Sequence, residues 1–372
     1  MNILILSWRG PGHPHAGGAE SATHEHAKAW AKGGHAVTLF TSYFSGAEKN
    51  QTIDDVEIIR SGDTVLGVQV AAFFWYLFAK HKKFDLVVDQ FHGIPFFTPL
   101  YVNCRKLAYI HETAKEIWKY NPWPKPFNLI PFFLGTKLEP FIFRFYRNIF
   151  FMTVSDSTKN DLIAWKIPKK NIKVIQNGVS ISGMPKKLPT KEKKKTALYL
   201  GAISKDKGIF DAILAFNEIN RKDDDWQFWV AGKSSEDMNN KIKSLINSLE
   251  IKNKIKLLGF VSDKKKFELF AKSHVLINPS VREGWGLVNI EANSVGTPVV
   301  GYKVPGMCDS VKDGNTGILV NFGDYRNLAT SAIKLVGDKN LYPKFQVQCK
   351  KWAQKFSWEK SAKASLELIE NI

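Results

Sequence analysis

Short apolar runs alternate with longer segments of mixed polarity along almost the whole chain of 372 residues. In the first half the apolar runs have the length of strands, and one intervening segment, Ala19–Lys32, has the length of a helix and ends at a Gly-Gly pair. Strands that alternate with helices are typical of parallel sheets built from βαβ units. The strands predicted in this half are Ile3–Leu6, Ala36–Thr41, Asp85–Val88, Lys106–Ile110 and Phe151–Val154.

A polar, basic stretch then interrupts the alternation. Residues 182–196 combine Pro, Gly and clustered Lys, which predicts a linker between a first domain, residues 1–181, and a second domain, residues 197–350. After it the alternation restarts with a helix over Gly208–Ile219, and the restart indicates a second α/β domain. The C-terminal segment 351–372 is predicted to be a helix that can pack back on the first domain. The strands predicted in the second domain are Ala197–Leu200, Gln227–Ala231, Ile255–Leu258 and Val275–Asn278.

Length and cysteine content agree with two domains of an intracellular protein. A chain of this length is too long for one ordinary core. The three cysteines are widely spaced and odd in number, so they form neither a disulfide framework nor a zinc pattern, and a reducing compartment is expected. The first apolar run is too short for a signal peptide, and the longest, Val65–Ala79, falls short of the ~18 residues of a spanning helix. A cytoplasmic protein without a transmembrane segment is therefore predicted.

The formal net charge of +18 favours anionic partners such as nucleotide phosphates or acidic lipid headgroups. A generally basic surface without a specific partner is the alternative. Nucleic acid is not expected as a partner, because the sequence contains no zinc-finger or helix-turn-helix pattern.

The segment from Pro279 to Ala292 carries the sharpest chemical signal. It reads as a strand end, a Gly-bearing loop and a helix that begins near Gly286. In open α/β sheets ligands bind at the carboxyl ends of the strands, and a helix N-terminus there offers N–H groups to a diphosphate. Glu283 lies in the loop, where it can reach a sugar hydroxyl, and Glu291 lies in the helix, where it can accept from both hydroxyls of a ribose.

The motif that contains these two glutamates, Glu-Gly-Trp-Gly…Glu-Ala, closely resembles the signature of the family 4 retaining glycosyltransferases. The resemblance covers nearly the whole chain and includes Gly17-Gly18-Ala19-Glu20, Gly34-His35-Ala36-Val37, Val154-Ser155, Asn177-Gly178-Val179, Ala231-Gly232, Gly259-Phe260-Val261-Ser262 and Gly296-Thr297-Pro298-Val299. It implies the GT-B fold, with two facing Rossmann-like domains and a deep cleft between them. It also implies that the second domain binds a nucleotide-diphosphate sugar and the first domain an acceptor.

The resemblance assigns roles to residues of the second domain. Glu283 would contact the donor sugar and act in catalysis, Glu291 would bind the ribose, and backbone N–H groups near Gly286 and Leu287 would bind the diphosphate. Lys207 would stabilise the leaving diphosphate, and the base would be read near Val261. The other predicted donor contacts are Lys205, Arg282, Gly284 and Trp285.

One position departs from the family pattern. The segment Gly201–Gly208 follows a strand and opens a helix, but Ala202 stands where the family has Arg. Lys205 or Arg282 can replace that cation, although the geometry of Arg and Lys differs. For Lys205 a solvated surface lysine is the favoured alternative, and Lys207 too can be read as a lysine that merely begins a helix.

In the first domain, the predicted donor contacts are Gly17 and Gly18, where glycines permit a close backbone approach to phosphates. His111 follows a strand, and the resemblance gives it a contact with the transferred sugar. A Gly-rich turn and a packed histidine are the alternatives. No metal site is expected, because the histidines His13, His15, His24 and His26 lack a recognisable ligand spacing.

The segment Lys115–Phe151 contains twelve aromatic residues and six Lys or Arg against two Glu. Rings and cations together are typical of a surface that lies on an anionic membrane. We therefore expect a peripheral protein on the inner face of the plasma membrane, with a glycan or lipid-linked acceptor. Rings packed in the core are the alternative.

Taken together, the sequence predicts a retaining, metal-independent hexosyltransferase of glycan or glycolipid assembly that uses a nucleotide sugar as co-substrate and no cofactor. No carboxylate suits a covalent nucleophile, so a same-face displacement is the expected mechanism. Two alternatives stay open. One is a GT-B sugar-nucleotide epimerase, and the other is a non-catalytic nucleotide-sugar-binding subunit, which the missing Arg at Ala202 suggests.

Overall fold

The structure, a computed structural model, describes residues 1–64, 66–120, 127, 129–179 and 183–372. It divides into two compact units: residues 1–178 with 358–372, and residues 179–357. Each unit is built on its own largely parallel β-sheet, which confirms the predicted α/β class with two Rossmann-like domains. The unit boundaries at 178 and 357 differ from the limits of 181 and 350 predicted from the sequence.

The first unit contains a sheet with the strand order β3-β4-β2-β1-β5-β6-β7-β8, in which β3 pairs antiparallel with β4 and the other neighbours are parallel. Its elements are β1 Asn2–Ser7, α1 Gly18–Lys32, β2 Ala36–Thr41, β3 Asn50–Ile53, β4 Val56–Arg60, α2 Gly67–Phe78, β5 Leu86–Gln90, β6 Arg105–Ile110, α3 Leu129–Ile142, β7 Phe150–Thr153, α4 Asp156–Ala164 and β8 Ile172–Val174.

The centre of this sheet is apolar and buried because its strands are covered on both faces. Strand β1 lies between β2 and β5, so the direction in which successive strands are added reverses at β1 and β5. Loops that follow β1 and β5 therefore diverge at the carboxyl edge of the sheet, and such a switch point is where ligands bind in open α/β sheets.

The last helix, α12 (Trp358–Asn371), belongs to the first unit and packs on α1. The hydroxyl oxygen of Ser365 lies 2.8 Å from His26 Nδ1 and accepts a hydrogen bond from Trp30 Nε1 at 3.0 Å. The C-terminal part of the first unit begins at Trp358 rather than at the predicted residue 351. The preceding helix continues to Ala353 and belongs to the second unit.

The second unit contains a sheet whose paired strands are all parallel, in the order β11-β10-β9-β12-β13-β14. The order reverses between β9 and β12, which are neighbours. Its elements are β9 Lys195–Leu200, α5 Ile209–Lys222, β10 Trp226–Ala231, α6 Glu236–Ser248, β11 Ile255–Gly259, α7 Asp263–Lys272, β12 Val275–Asn278, α8 Leu287–Ser294, β13 Val299–Tyr302, α9 Met307–Ser310, β14 Gly317–Val320, α10 Tyr325–Gly337 and α11 Leu341–Ala353.

The predicted linker is shorter in the structure than in the sequence analysis. Lys195 already pairs with Trp226 of β10, so the end of segment 182–196 is part of the sheet. Lys191 donates hydrogen bonds to the Ser273 carbonyl oxygen and, at 2.7 Å, to Thr297 Oγ1, which attaches this segment to the second unit. Ser182, at its start, lies outside the described residues.

The apolar run Val65–Ala79 corresponds to helix α2, although Val65 itself lies outside the described residues. In the part of the chain that the structure describes, no helix combines the length and the apolar character needed to cross a membrane.

Candidate functional site

In the second unit, the predicted donor residues gather where the neighbouring strands β9 and β12 end. Residues 201–207 follow β9, and residues 279–286 follow β12. Because the strand order reverses between these two strands, their loops border the crevice in which open α/β sheets bind ligands.

A close backbone approach connects the two loops. Gly208, which caps α5, has a φ of +72°, and a Cβ at this position would lie 2.0 Å from the carbonyl oxygen of Pro279. Only glycine fits both the left-handed conformation and the contact. The N–H of Val281 also donates to the Asp206 carbonyl oxygen at 2.9 Å. The loop that carries Lys207 is therefore held against the loop that carries Glu283.

The carboxylate of Glu283 lies beside a cation. Its Oε2 is 3.1 Å from Lys207 Nζ, and its Oε1 lies 2.7 Å from the hydroxyl oxygen of Ser280. The backbone is fixed as well: Glu283 N donates to the Pro305 carbonyl oxygen at 3.1 Å, and a Cβ on Gly306 would lie 1.9 Å from the Glu283 carbonyl oxygen. Glu283 and Lys207 are both partly exposed, so this ion pair can meet a ligand.

The same loop ends in a helix start. Gly286 caps α8 with a φ of +73°, and Leu287 is the first helical residue. The first N–H groups of a helix have no acceptor within it and carry the positive end of its dipole. Gly284 lies in the same loop. The structure thus brings Glu283, Lys207 and the N-terminus of α8 together. This arrangement suits a diphosphate beside a sugar, and the donor-binding roles of these groups stay predictions.

Two residues predicted as donor contacts are buried. Arg282 is 2% exposed and Trp285 is 3% exposed, and the ring of Trp285 packs edge-on against Phe356 with the centroids 5.0 Å apart. Burial of large side chains next to the loop stiffens it. The donor-binding roles of Arg282 and Trp285 stay predictions.

Glu291 forms an ion pair that the sequence analysis missed. Its Oε1 accepts a hydrogen bond from Lys266 Nζ on α7 at 2.7 Å, and Lys266 also contacts Asp263 Oδ1 at 3.0 Å. Burial raises the pKa of Glu291, and the charge of Lys266 opposes that rise. Lys266 lies 25 positions from Glu291 in the chain, and helical spacing signals only its local partner Asp263. Lys266 thus orients the Glu291 carboxylate, and the contact of Glu291 with a ribose stays a prediction.

The region of the missing Arg is open. Ala202 and Lys205 are both exposed, and the backbone between them is anchored by Tyr199, whose hydroxyl donates to the Ala202 carbonyl oxygen at 2.6 Å. Val261, the predicted contact for the base, is half-buried in the loop after β11. Lys205 is thus placed on the same loop as Lys207, and its contact with a donor stays a prediction.

The first unit has its own cavity of about 120 Å³ at the switch between β1 and β5. Residues at or just after the carboxyl ends of the strands β1, β5 and β6 line it together with the start of α1. The lining residues are Trp8, Arg9, Ala19, Glu20, Gln90, His92, His111 and Glu112.

Glu20 organises one wall of this cavity. Its Oε2 accepts from the N–H of Gly17 at 2.7 Å, and its Oε1 accepts from Arg9 Nε at 2.9 Å. The guanidinium of Arg9 lies 4.3 Å from the ring centroid of Trp8. Gly17 caps α1 and Gly18 is its first residue, so the predicted glycine loop lies at a helix N-terminus beside the cavity.

His111 is placed at another wall of the cavity, with its ring 4.4 Å from that of Tyr109. It is 8% exposed, and its Nε2 has no hydrogen-bond partner among the described residues. Burial, together with His26 and His92, lowers the pKa of His111 to about 3. The imidazole is therefore neutral at physiological pH and can exchange a hydrogen bond with a sugar hydroxyl.

Two other histidines near the glycine loop, His24 and His26, have separate partners and do not form a common site. His24 Nε2 lies 3.0 Å from Asp54 Oδ2, whereas His26 is buried beside Ser365 and burial lowers its pKa to about 4. Within the described ranges, no group of three His, Cys, Asp or Glu side chains could hold a metal ion.

The aromatic segment Lys115–Phe151 is divided between core and surface. Its core rings are Phe143, Tyr146 and Phe151. Buried Glu139 accepts from Trp118 Nε1 at 3.1 Å and so fixes α3. The exposed apolar side chains of the segment are Phe127, Leu129, Ile130, Phe133, Leu134, Leu138, Phe141, Phe145 and Phe150. Residues 121–126, with Trp123 and Lys125, lie outside the described residues.

The chain is similar in sequence and in fold to known glycosyltransferases and related enzymes. The capsular polysaccharide biosynthesis glycosyltransferase CapM of Staphylococcus aureus is 32% identical over 203 residues, which are 51% of this chain and 53% of that protein. Sucrose-phosphate synthase from Thermosynechococcus elongatus superposes with a TM-score of 0.80 at 18% identity, over 100% of this chain and 98% of that chain. Anabaena HepE in complex with UDP and glucose gives a TM-score of 0.75 at 17% identity, over 100% of both chains.

The chain spans 44–60% of the length of the curated relatives it matches first. The structural similarities show the GT-B fold. Residues 16–182 match the model of Glycosyltransferase Family 4, and residues 181–356 match that of Glycosyl transferases group 1. The chain therefore belongs to the group 1 / family 4 glycosyltransferases.

Proposed function

We propose that this protein is a retaining glycosyltransferase that moves a hexose from a UDP-sugar to an acceptor hydroxyl. The observation that carries the proposal is the carboxylate of Glu283, 3.1 Å from Lys207 Nζ, at the strand switch of the second unit. UDP is favoured as the nucleotide because Anabaena HepE, which shares the fold, binds UDP and glucose.

In the proposed reaction, a bond forms between the acceptor oxygen and the anomeric carbon on the face from which the diphosphate departs. The bond between that carbon and the diphosphate oxygen breaks, and the acceptor proton passes to the leaving diphosphate. Lys207 and the N–H groups at the start of α8 stabilise the negative charge that grows on the diphosphate. With this cation and these hydrogen-bond donors in place, the proposed reaction needs no metal ion.

The acceptor is proposed to be a glycan or a lipid-linked glycan at the inner face of the plasma membrane. The exposed apolar side chains of α3, among them Phe133 and Phe141, support this, because rings and cations together suit an anionic lipid surface. In the first unit, neutral His111 and the glycine loop at Gly17 are proposed to contact the substrates.

A panel of nucleotide sugars tests the proposal by thermal shift followed by product analysis, with EDTA present throughout. A ligand that binds the native state raises the melting temperature, and a UDP-hexose is expected to do so. Transfer or hydrolysis with retained configuration supports a glycosyltransferase. An epimerised nucleotide sugar without transfer would indicate an epimerase, and binding without turnover a non-catalytic subunit. Turnover that needs added Mg²⁺ or Mn²⁺ would contradict the metal-free mechanism.

Glu291→Gln is expected to raise the KM for the donor about tenfold or more while kcat changes little. A ribose contact is similar in the ground state and the transition state, and a hydrogen bond to a charged group contributes about 1.5–3 kcal/mol. Gln keeps the shape of the side chain beside Lys266. Steady-state kinetics with varied donor measure the effect. Glu268→Gln on α7, which loses an exposed pair with Lys265, is the control. An unchanged donor KM would exclude Glu291 as the ribose ligand.

A further inference from the structure

Helix α2 of the first unit has two apolar faces, of which only one is covered. Val68 and Ala72 are fully buried in the core of the unit, and Trp75 packs against that core. The opposite face consists of exposed apolar side chains spaced by three or four residues, so that they form one stripe. This stripe, the α2 face, comprises Leu66, Val70, Phe73, Phe74, Leu77 and Phe78.

The exposure of the α2 face is large for a soluble surface. Phe78 is 75% exposed and Phe74 is 55% exposed, and their rings stack with the centroids 5.9 Å apart. The helix sequence from Gly67 to Phe78 contains no charged residue. A helix that is apolar all round is buried in a protein core or in lipid, and contiguous exposed apolar side chains mark a contact surface.

The α2 face continues toward the segment already proposed to lie on a membrane. The ring of Phe73 lies 5.0 Å from that of Tyr101, and the neighbouring Leu100 is exposed. The turn that ends at Leu100 contacts the turn Phe143–Tyr146, which directly follows α3 and carries exposed Phe145. The turn beside α2 and the turn that follows α3 are therefore neighbours within one unit.

Charge favours lipid over a second copy of the chain as the occupant. Lys80, Lys82 and Lys83 directly follow α2, and all three are exposed. A second copy of the chain carries the same three lysines and, within α2, no acidic residue to pair with them. An anionic membrane instead offers hydrocarbon to the rings and negative headgroups to the lysines.

We propose that the α2 face inserts into the interface of an anionic membrane, with Lys80 and Lys83 on the lipid headgroups, as a second contact besides α3. The proposal rests on the proposed function only in that a membrane-borne acceptor gives this docking its purpose. The helix would lie in the membrane plane, since its twelve residues are too short to span.

Vesicle co-sedimentation of the full chain tests the proposal with Phe74→Ser and the matched control Phe322→Ser. Phe322 of the second unit is 54% exposed, almost as much as Phe74. Vesicles are made of phosphatidylcholine alone or mixed with phosphatidylglycerol. We expect binding to the mixed vesicles, about tenfold weaker for Phe74→Ser and unchanged for Phe322→Ser. The double variant Lys80→Gln, Lys83→Gln should weaken binding by about fivefold for each lysine at low salt.

Two readouts separate failure of this proposal from failure of the proposed function. The thermal shift with UDP-glucose measures donor binding, and it should be the same in Phe74→Ser and the unaltered chain. Analytical ultracentrifugation measures the oligomeric state. Unchanged vesicle binding by Phe74→Ser would overturn the proposal, as would a dimer that Phe74→Ser dissociates without any vesicle binding. Lack of donor binding by every variant would instead contradict the proposed function alone.

Discussion

Glu283→Gln is expected to lower the turnover of sugar transfer by about 10²-fold or more while the protein stays folded. The anomeric carbon gains positive charge as the diphosphate leaves, and a carboxylate at the sugar stabilises that charge in the transition state. Gln keeps the length of the side chain and can still accept the hydrogen bond from Ser280, so the loop should hold its shape. The change therefore removes charge, and kcat with a UDP-sugar donor measures the loss.

The matched control for this change is Glu192→Gln. Glu192 also pairs with a lysine of the second unit, Lys272 at 3.3 Å, but it lies in the segment before β9 rather than in the loop after β12. We expect its turnover and melting temperature to stay close to those of the unaltered chain. Turnover near the original value in Glu283→Gln, with a normal melting temperature, would remove Glu283 from the catalytic residues.

Much of the fold follows from local sequence pattern. The strands β1, β2, β5, β6 and β7 are apolar and fully or largely buried, and such runs stand out between polar segments. Strand β4, in contrast, alternates buried and exposed residues, and β3 has no buried residue, so neither was predicted. The strands β8, β13 and β14, of three or four residues each, were not predicted either.

The candidate site was predicted as a set of residues but not as a geometry. The spelling of the segment Pro279–Ala292 identified Glu283 and Glu291, and the Gly-rich loops identified Gly17 and Lys207. That β9 and β12 are adjacent in the sheet depends on the strand order, which local sequence patterns do not encode. For the same reason the contact of Gly208 with Pro279 was not foreseen.

Ion pairs between distant segments were missed for a related reason. Lys266 and Glu291 lie on different helices, α7 and α8, and their 2.7 Å contact arises only when both helices pack on the sheet. Arg9 and Glu20 likewise meet across the turn between β1 and α1. Residue types alone predict which groups bind ligands, and those roles stay predictions, whereas the groups that orient them are visible only in the structure.

Because position 202 is Ala, Lys207 has a larger share in supplying positive charge to the diphosphate. The family pattern has an Arg there, and exposed Ala202 offers no charge to a diphosphate. Lys205 is exposed on the same loop, but a flexible surface lysine loses side-chain entropy when it is fixed. Lys207 is partly buried and already held 3.1 Å from Glu283, so its charge is in position before a ligand binds. We therefore expect Lys207 to supply most of the cationic stabilisation in this loop.

Lys207→Met is accordingly expected to lower kcat by about 10²–10³-fold, the range for losing one group that stabilises developing negative charge. Met keeps most of the length of the side chain and removes the cation. Lys207→Arg keeps the cation but not its compact shape, and it should recover part of the activity. Lys222→Met, at the far end of α5 from Lys207, is the control and should leave kcat unchanged.

The double variant Glu283→Gln, Lys207→Met tests whether the two groups act as a unit. Each single change removes one charge of the 3.1 Å ion pair, so part of each loss is the cost of taking that partner away from the remaining charge. That cost disappears when both charges are removed. The loss of activity in the double variant should therefore be clearly smaller than the product of the two single losses. Strictly multiplicative losses would show that Glu283 and Lys207 contribute independently, and the ion pair would then be incidental to the reaction.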